Sequence, residues 1–157
     1  MVDTATRTYA LPKPDTRLRE FERFIGTWEM KGRTLDSDTD NVTAKATFEY
    51  LPGGFFVAQR FKADFVGTPI ESLELIGYDP ESGTFPSTVY ANMAATPLAY
   101  RWELDGDDVT ITTDELGATF RGRWSGTTFS GGWRPNPGRE GPGNVPYDVS
   151  GHRATSG

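Results

Sequence analysis

From Thr27 onward the chain breaks into about ten short stretches of alternating or β-rich sequence, parted by turn signals at roughly 8 to 12 residue intervals, and this recurrence constrains the fold most. The stretches run Thr27 to Thr34, Thr43 to Tyr50, Phe55 to Ala63, Glu71 to Tyr78, Thr84 to Asn92, Leu98 to Leu104, Val109 to Thr113, Ala118 to Trp124, Thr127 to Arg134 and Tyr147 to Ala154. Between them lie Asp36 to Asn41, Leu51-Pro52-Gly53-Gly54 and Asp79-Pro80-Glu81-Ser82-Gly83, which are turn chemistry. Strands arriving in this order predict an antiparallel meander in which each pairs with the next. Closing that meander into an up-and-down barrel hides both edges. The expected class is all-β, with one short N-terminal helix closing an end of the barrel.

That helix is read from Leu18, Phe21, Phe24 and Ile25, which recur at helical spacing against Arg19, Glu20, Glu22 and Arg23. Asp15 or Thr16 is available as its N-cap, and Gly26 breaks it. Residues 1–16 are polar, carry Pro12 and Pro14, and read as a tail or a strap; residues 17–157 read as a single barrel domain. Pro135 to Pro146 is a long Gly- and Pro-rich loop, expected as a loose hairpin end rather than a lid.

Composition excludes several chemistries. A formal charge of -6 with no run of Lys or Arg argues against nucleic acid. The absence of cysteine removes disulfides, thiolate nucleophiles and Cys-ligated metals, and suits a cytoplasmic protein. No segment has the length of a membrane span. Gly53-Gly54 and Gly131-Gly132 precede no phosphate-binding helix. Asp36, Asp38 and Asp40 lack the glycine and terminal Glu of a calcium loop.

Four segments carry a resemblance: Phe24-Ile25-Gly26-Thr27-Trp28, Tyr50-Leu51-Pro52-Gly53-Gly54-Phe55-Phe56, Glu71 to Asp79, and Phe129-Ser130-Gly131-Gly132-Trp133. Over about Leu18 to Arg153 the chain resembles the DUF1579 family of uncharacterised bacterial proteins and, more remotely, the calycin barrels: lipocalin, fatty-acid-binding and nitrobindin-like. The resemblance implies a barrel with an internal cavity. It also implies that Trp28 lies across the closed end, with Arg153 of the last strand packed on its indole to tie first strand to last. Nitrobindin-like barrels hold haem through one histidine, which makes His152, the only histidine, the residue to test. Strand parity opposes it: Tyr147, Val149, Gly151 and Arg153 share the inner face, and His152 points outward with Asp148 and Ser150. No cofactor is therefore expected. The histidine count also excludes a three-histidine zinc site.

The inner face offers a binding surface. Gln59 shares a side with Phe55, Val57 and Phe61, while Tyr100 and Trp102 alternate with Arg101 and Glu103. Phe120 and Trp124 stand opposite Arg121 and Arg123, and Phe129 and Trp133 follow the same rule; core filling and ligand lining explain these aromatics equally well. Alternation leaves the Glu71 to Tyr78 strand undecided. If Ile76 and Tyr78 face inward, Glu74 enters the barrel, where burial raises its pKa; the other register admits Glu71, and either glutamate reads most simply as solvated or paired with Arg60 or Arg101.

The reading is a small-molecule binding barrel for an apolar or aromatic ligand, contacted by Gln59, Glu74, Tyr78, Tyr100, Trp102, Phe120 and Trp124. The alternative is a cofactor-independent isomerase or cyclase in which Glu74 moves a proton. Self-association to a homodimer is left open.

Overall fold

The structure, a computed structural model, describes residues 9–155. Ten strands form one closed antiparallel barrel: β1 (Gly26–Thr34), β2 (Val42–Tyr50), β3 (Val57–Phe65), β4 (Thr68–Ile76), β5 (Phe85–Ala91), β6 (Leu98–Asp105), β7 (Asp108–Thr113), β8 (Ala118–Ser125), β9 (Thr128–Pro135) and β10 (Tyr147–Arg153). Each pairs with its neighbour in sequence, and β1 closes on β10 with Trp28 opposite Arg153. Among the described residues no barrel strand keeps an open edge for pairing with another chain. No helix among the described residues is long and apolar enough to cross a membrane.

A nine-residue 3-10 helix, Thr16–Phe24, precedes the barrel, and Asp15 caps it by accepting from the backbone N–H of Arg17 at 2.9 Å. Its three buried residues, Leu18, Phe21 and Phe24, are spaced by three. A 3-10 helix has three residues per turn, so such side chains eclipse into a single column, and that column enters the barrel. Ile25 falls outside the helix in an extended conformation. Gly26 follows at φ 121°, where a Cβ would come 2.7 Å from the Arg153 guanidinium. Glycine thus turns the chain into β1 and leaves room for Arg153. The part of the tail expected before Tyr9 lies outside the described residues.

The helix fills one half of the barrel. Phe21, Phe24, Trp28, Phe48, Phe85 and Trp102 are all at most 2% exposed. Their rings meet mainly edge to face: Phe21 on Phe85 at 4.9 Å, Phe24 on Trp124 at 4.9 Å, and Trp28 on Trp124 at 5.2 Å. Burying each large apolar side chain of this plug contributes about 1.5–3 kcal/mol. Two polar contacts orient it. Tyr50 Oη donates to the carbonyl of Leu18 at 2.8 Å, and Trp28 Nε1 donates to that of Phe24 at 2.8 Å.

At the opposite end the loops 35–41, 66–67, 92–97, 114–117 and 136–146 surround a mouth. Leu35, Val66, Met93, Leu116 and Val145 expose apolar side chains on these five loops, one on each. Val66 and Gly67 form a two-residue hairpin turn, both at positive φ (51° and 87°).

Candidate functional site

Four inward-facing residues toward the mouth are small: Ala44 on β2, Ala63 on β3, Ala91 on β5 and Ala118 on β8. Large aromatics fill the helix end and alanines leave space at the other. The result is a cavity of about 450 Å³ whose floor is the aromatic plug and whose upper wall includes Val145 and Tyr147. Filled core and cavity therefore both occur, in separate halves of one barrel. Trp102, Trp124 and Phe129 belong to both. Phe120 packs over Gly122 and Gly131, where a Cβ would stand 2.7 Å and 2.5 Å from the ring.

The one charged residue of the lining, among the described residues, is Glu74. Register decides its orientation: Phe65 pairs with Thr68 across the two-residue turn, which sets Gln59 opposite Glu74 and both inside. Glu71 falls on the outer face, paired with Lys62 at 3.2 Å. The solvated or arginine-paired glutamate expected from sequence is not what forms at position 74, since Arg60 pairs with Glu49 and Arg101 lies near Glu103. Glu74 is 6% exposed, and its Oε2 accepts from Ser87 Oγ at 2.6 Å and from Trp102 Nε1 at 2.8 Å. Burial raises its pKa, and these two hydrogen bonds partly oppose the rise. Oε1 has no hydrogen-bond partner among the described residues. With both donors on Oε2, a proton on neutral Glu74 belongs on Oε1, and in the ionised state Oε1 is the free acceptor.

Gln59, Tyr100, Trp102, Phe120 and Trp124 all line the cavity with Glu74. Burial and the nearby Glu74 push the Tyr100 hydroxyl up to about 12, and burial raises Tyr147 further. Both phenols are thus neutral hydrogen-bonding groups at ordinary pH. Thr113 Oγ1 and Trp124 Nε1 are buried without a hydrogen-bond partner among the described residues; Trp124 was expected in the lining, whereas Thr113 was not. Ser87 was missed as well, although it shares the inward parity of Phe85 and Val89.

Tyr78 is elsewhere. β4 ends at Ile76, so Tyr78 leaves the sheet at the plugged end, where its ring packs on Phe85 at 5.0 Å and lies 5.6 Å from the Arg17 guanidinium. Phe55, expected beside Gln59, stays in the β2–β3 turn and is exposed. Trp28 sits in the plug, with the Arg153 guanidinium 4.7 Å from its ring centroid. Arg153 also donates to the carbonyls of Ile25 and Arg23, at the C-terminal end of the helix.

The loop 136–146 is not the loose end expected from its composition. Asn144 Nδ2 donates toward the carbonyls of Leu116, Gly117 and Arg139, and the Arg139 guanidinium donates to those of Asp114 and Glu115. Thr119 Oγ1 donates to Asn136 Oδ1 at 2.6 Å. These bonds fold the loop over the β7–β8 turn, and Gly143, Asn144 and Val145 become part of the cavity wall.

His152 lies on the outer face, 57% exposed in its side chain and 3.3 Å from Glu29 Oε2. A haem held inside the barrel by histidine does not fit these residues. No group of three His, Asp or Glu able to hold a metal ion occurs among the described residues.

Residues 13–130 match the family model described as "Protein of unknown function (DUF1579)". No curated protein matches the chain. Among solved structures it is similar to Rv2717c from M. tuberculosis, with a TM-score of 0.62 and 13% sequence identity over 91% of this chain and 100% of that one. At that identity the likeness speaks for the fold alone.

Proposed function

The chain belongs to the DUF1579 family, and on that footing we propose that its barrel is a binding module for a small apolar or aromatic molecule. The observation that carries this reading is the cavity of about 450 Å³, apolar in most of its lining, with a buried carboxylate at its base. Pockets of this size with a few converging polar groups are the usual form of small-molecule sites. Gln59, Glu74 and Tyr100 would orient the ligand, while Trp102, Phe120 and Trp124 would supply contact area. The resemblance to calycin barrels supports the same use of the interior.

The test is a fluorescence titration with the neutral aromatic probe N-phenyl-1-naphthylamine. Saturable binding of one probe per chain is expected; absence of binding would overturn the reading.

A second reading is favoured by the free Oε1 of Glu74 and its raised pKa. A carboxyl group poised to hold or release a proton in an apolar cavity suits an isomerase or cyclase acting on a hydrophobic substrate. Turnover lost in Glu74→Gln, with ligand still bound, would move the protein into that class.

A further inference from the structure

Resting on the cavity reading, we propose that the occupant is an apolar amine, bound as its ammonium ion against Glu74 Oε1. Three observations converge on a cation.

The first is the state of Glu74 itself. Two donors, Ser87 Oγ and Trp102 Nε1, are spent on Oε2, and Oε1 has no partner among the described residues. Glu74 lines the cavity, so its Oε1 is left to accept from whatever occupies that space. A ligand N–H on Oε1 supplies what the fold omits.

The second is the charge of the lining. Among the described residues no Lys, Arg or His lines the cavity, and Glu74 is its one carboxylic acid. A fatty acid or another anionic amphiphile would bring a second negative charge into a site with no compensating cation, so the lining rejects it. Tyr100 stands on the same wall, and an aromatic ring face attracts an ammonium ion.

The third is the mouth. Its loops carry Asp36, Asp38, Asp40, Asp114, Glu115 and Glu140 against the single base Arg139. Arg139 is tied down by the carbonyls of Asp114 and Glu115. The resulting negative field concentrates cations at the opening and repels anions.

The experiment compares three probes of one shape by titration calorimetry: naphthalen-1-ylmethylammonium, naphthalen-1-ylmethanol and naphthalene-1-carboxylate. The ammonium ion is expected to bind at least tenfold more tightly than the alcohol, with the carboxylate weakest. Glu74→Gln should remove the ammonium ion's advantage over the alcohol, and a native circular dichroism spectrum shows that the variant is folded. If that variant does not fold, salt replaces it. A buried ion pair keeps the ammonium preference at 0.5 M salt, whereas a preference due only to the rim is screened away and sinks the proposal. Equal affinity of alcohol and ammonium overturns the amine but leaves the cavity reading standing. Failure of all three probes to bind overturns the cavity reading and the amine with it.

Discussion

Trp102 donates its indole N–H to Glu74 Oε2 at 2.8 Å, and this one bond joins the two halves of the barrel. The ring of Trp102 packs in the plug against Phe21, Phe24 and Phe48, while the same residue forms part of the cavity lining. The filled half thereby fixes the polar group on which ligand recognition in the open half depends. Such support from packing is what holds a binding constellation in place.

Glu74 makes stability depend on pH in a defined direction. Its pKa is raised in the folded protein, so the native state holds the proton more tightly than the unfolded chain does. The stabilisation is complete below the ordinary value of 4.5 and is lost as pH climbs through the folded value. Glu74→Gln should therefore gain on the parent protein by about 1.4 kcal/mol per pH unit in that window. Urea unfolding of both proteins at a series of pH values measures the difference. A difference independent of pH would show that Glu74 titrates normally.

Arg153 binds the last strand to the first and to the helix end. Arg153→Ala removes the cation–π contact with Trp28, worth about 0.5–2 kcal/mol, and leaves the carbonyls of Arg23 and Ile25 short of a donor. A loss of about 2–4 kcal/mol is expected, and Arg153→Lys should recover only part of it, because a point charge cannot both stack and fork. A loss under 0.5 kcal/mol in denaturant unfolding would mean that this contact does not close the barrel.

Val66 occupies a turn position that favours asparagine. Both Val66 and Gly67 have positive φ, a conformation in which a β-branched side chain is strained and Asn-Gly is the preferred pair. Val66→Asn should stabilise the protein by about 1 kcal/mol, read as a rise in the thermal midpoint. A fall would indicate that the exposed valine makes contacts worth more than the strain.

Asn144 latches the loop over the β7–β8 turn. Asn144→Ala should leave the global midpoint nearly unchanged while amides in 138–144 exchange with solvent faster, since the bonds lost tie the loop to the β7–β8 turn and belong to no strand ladder. Unchanged exchange would show that Arg139 and Asn136 suffice to hold it.

The architecture was legible because period-2 alternation is a strong signal wherever one face is buried. Leu98, Tyr100, Trp102 and Leu104 could be assigned inward from the charged residues between them, and the same rule turned His152 outward. The rule failed on β4, where Leu73 and Leu75 lie on the outer face and Glu74 on the inner one, so hydrophobicity points the wrong way. The missing information was in the turn. A two-residue hairpin at Val66-Gly67 fixes Gln59 opposite Glu74, and Gly67 was the available clue. Tyr78 was misplaced because the strand stops two residues earlier, and strand ends are set by the packing of the plug rather than by pattern. Loop 136–146 looked loose because its order comes from Asn144 and Arg139 reaching carbonyls far along the chain, which no local pattern records.

The central claim is that an apolar ligand binds inside the barrel and not on its surface, and Ala63→Trp tests it most directly. Ala63 faces the cavity, paired with Ala44 and Ile70, so an indole there occupies the void without displacing packed side chains. The account predicts that N-phenyl-1-naphthylamine binds the parent protein saturably and that Ala63→Trp abolishes binding with the thermal midpoint preserved. Equal binding by a folded Ala63→Trp protein would contradict it.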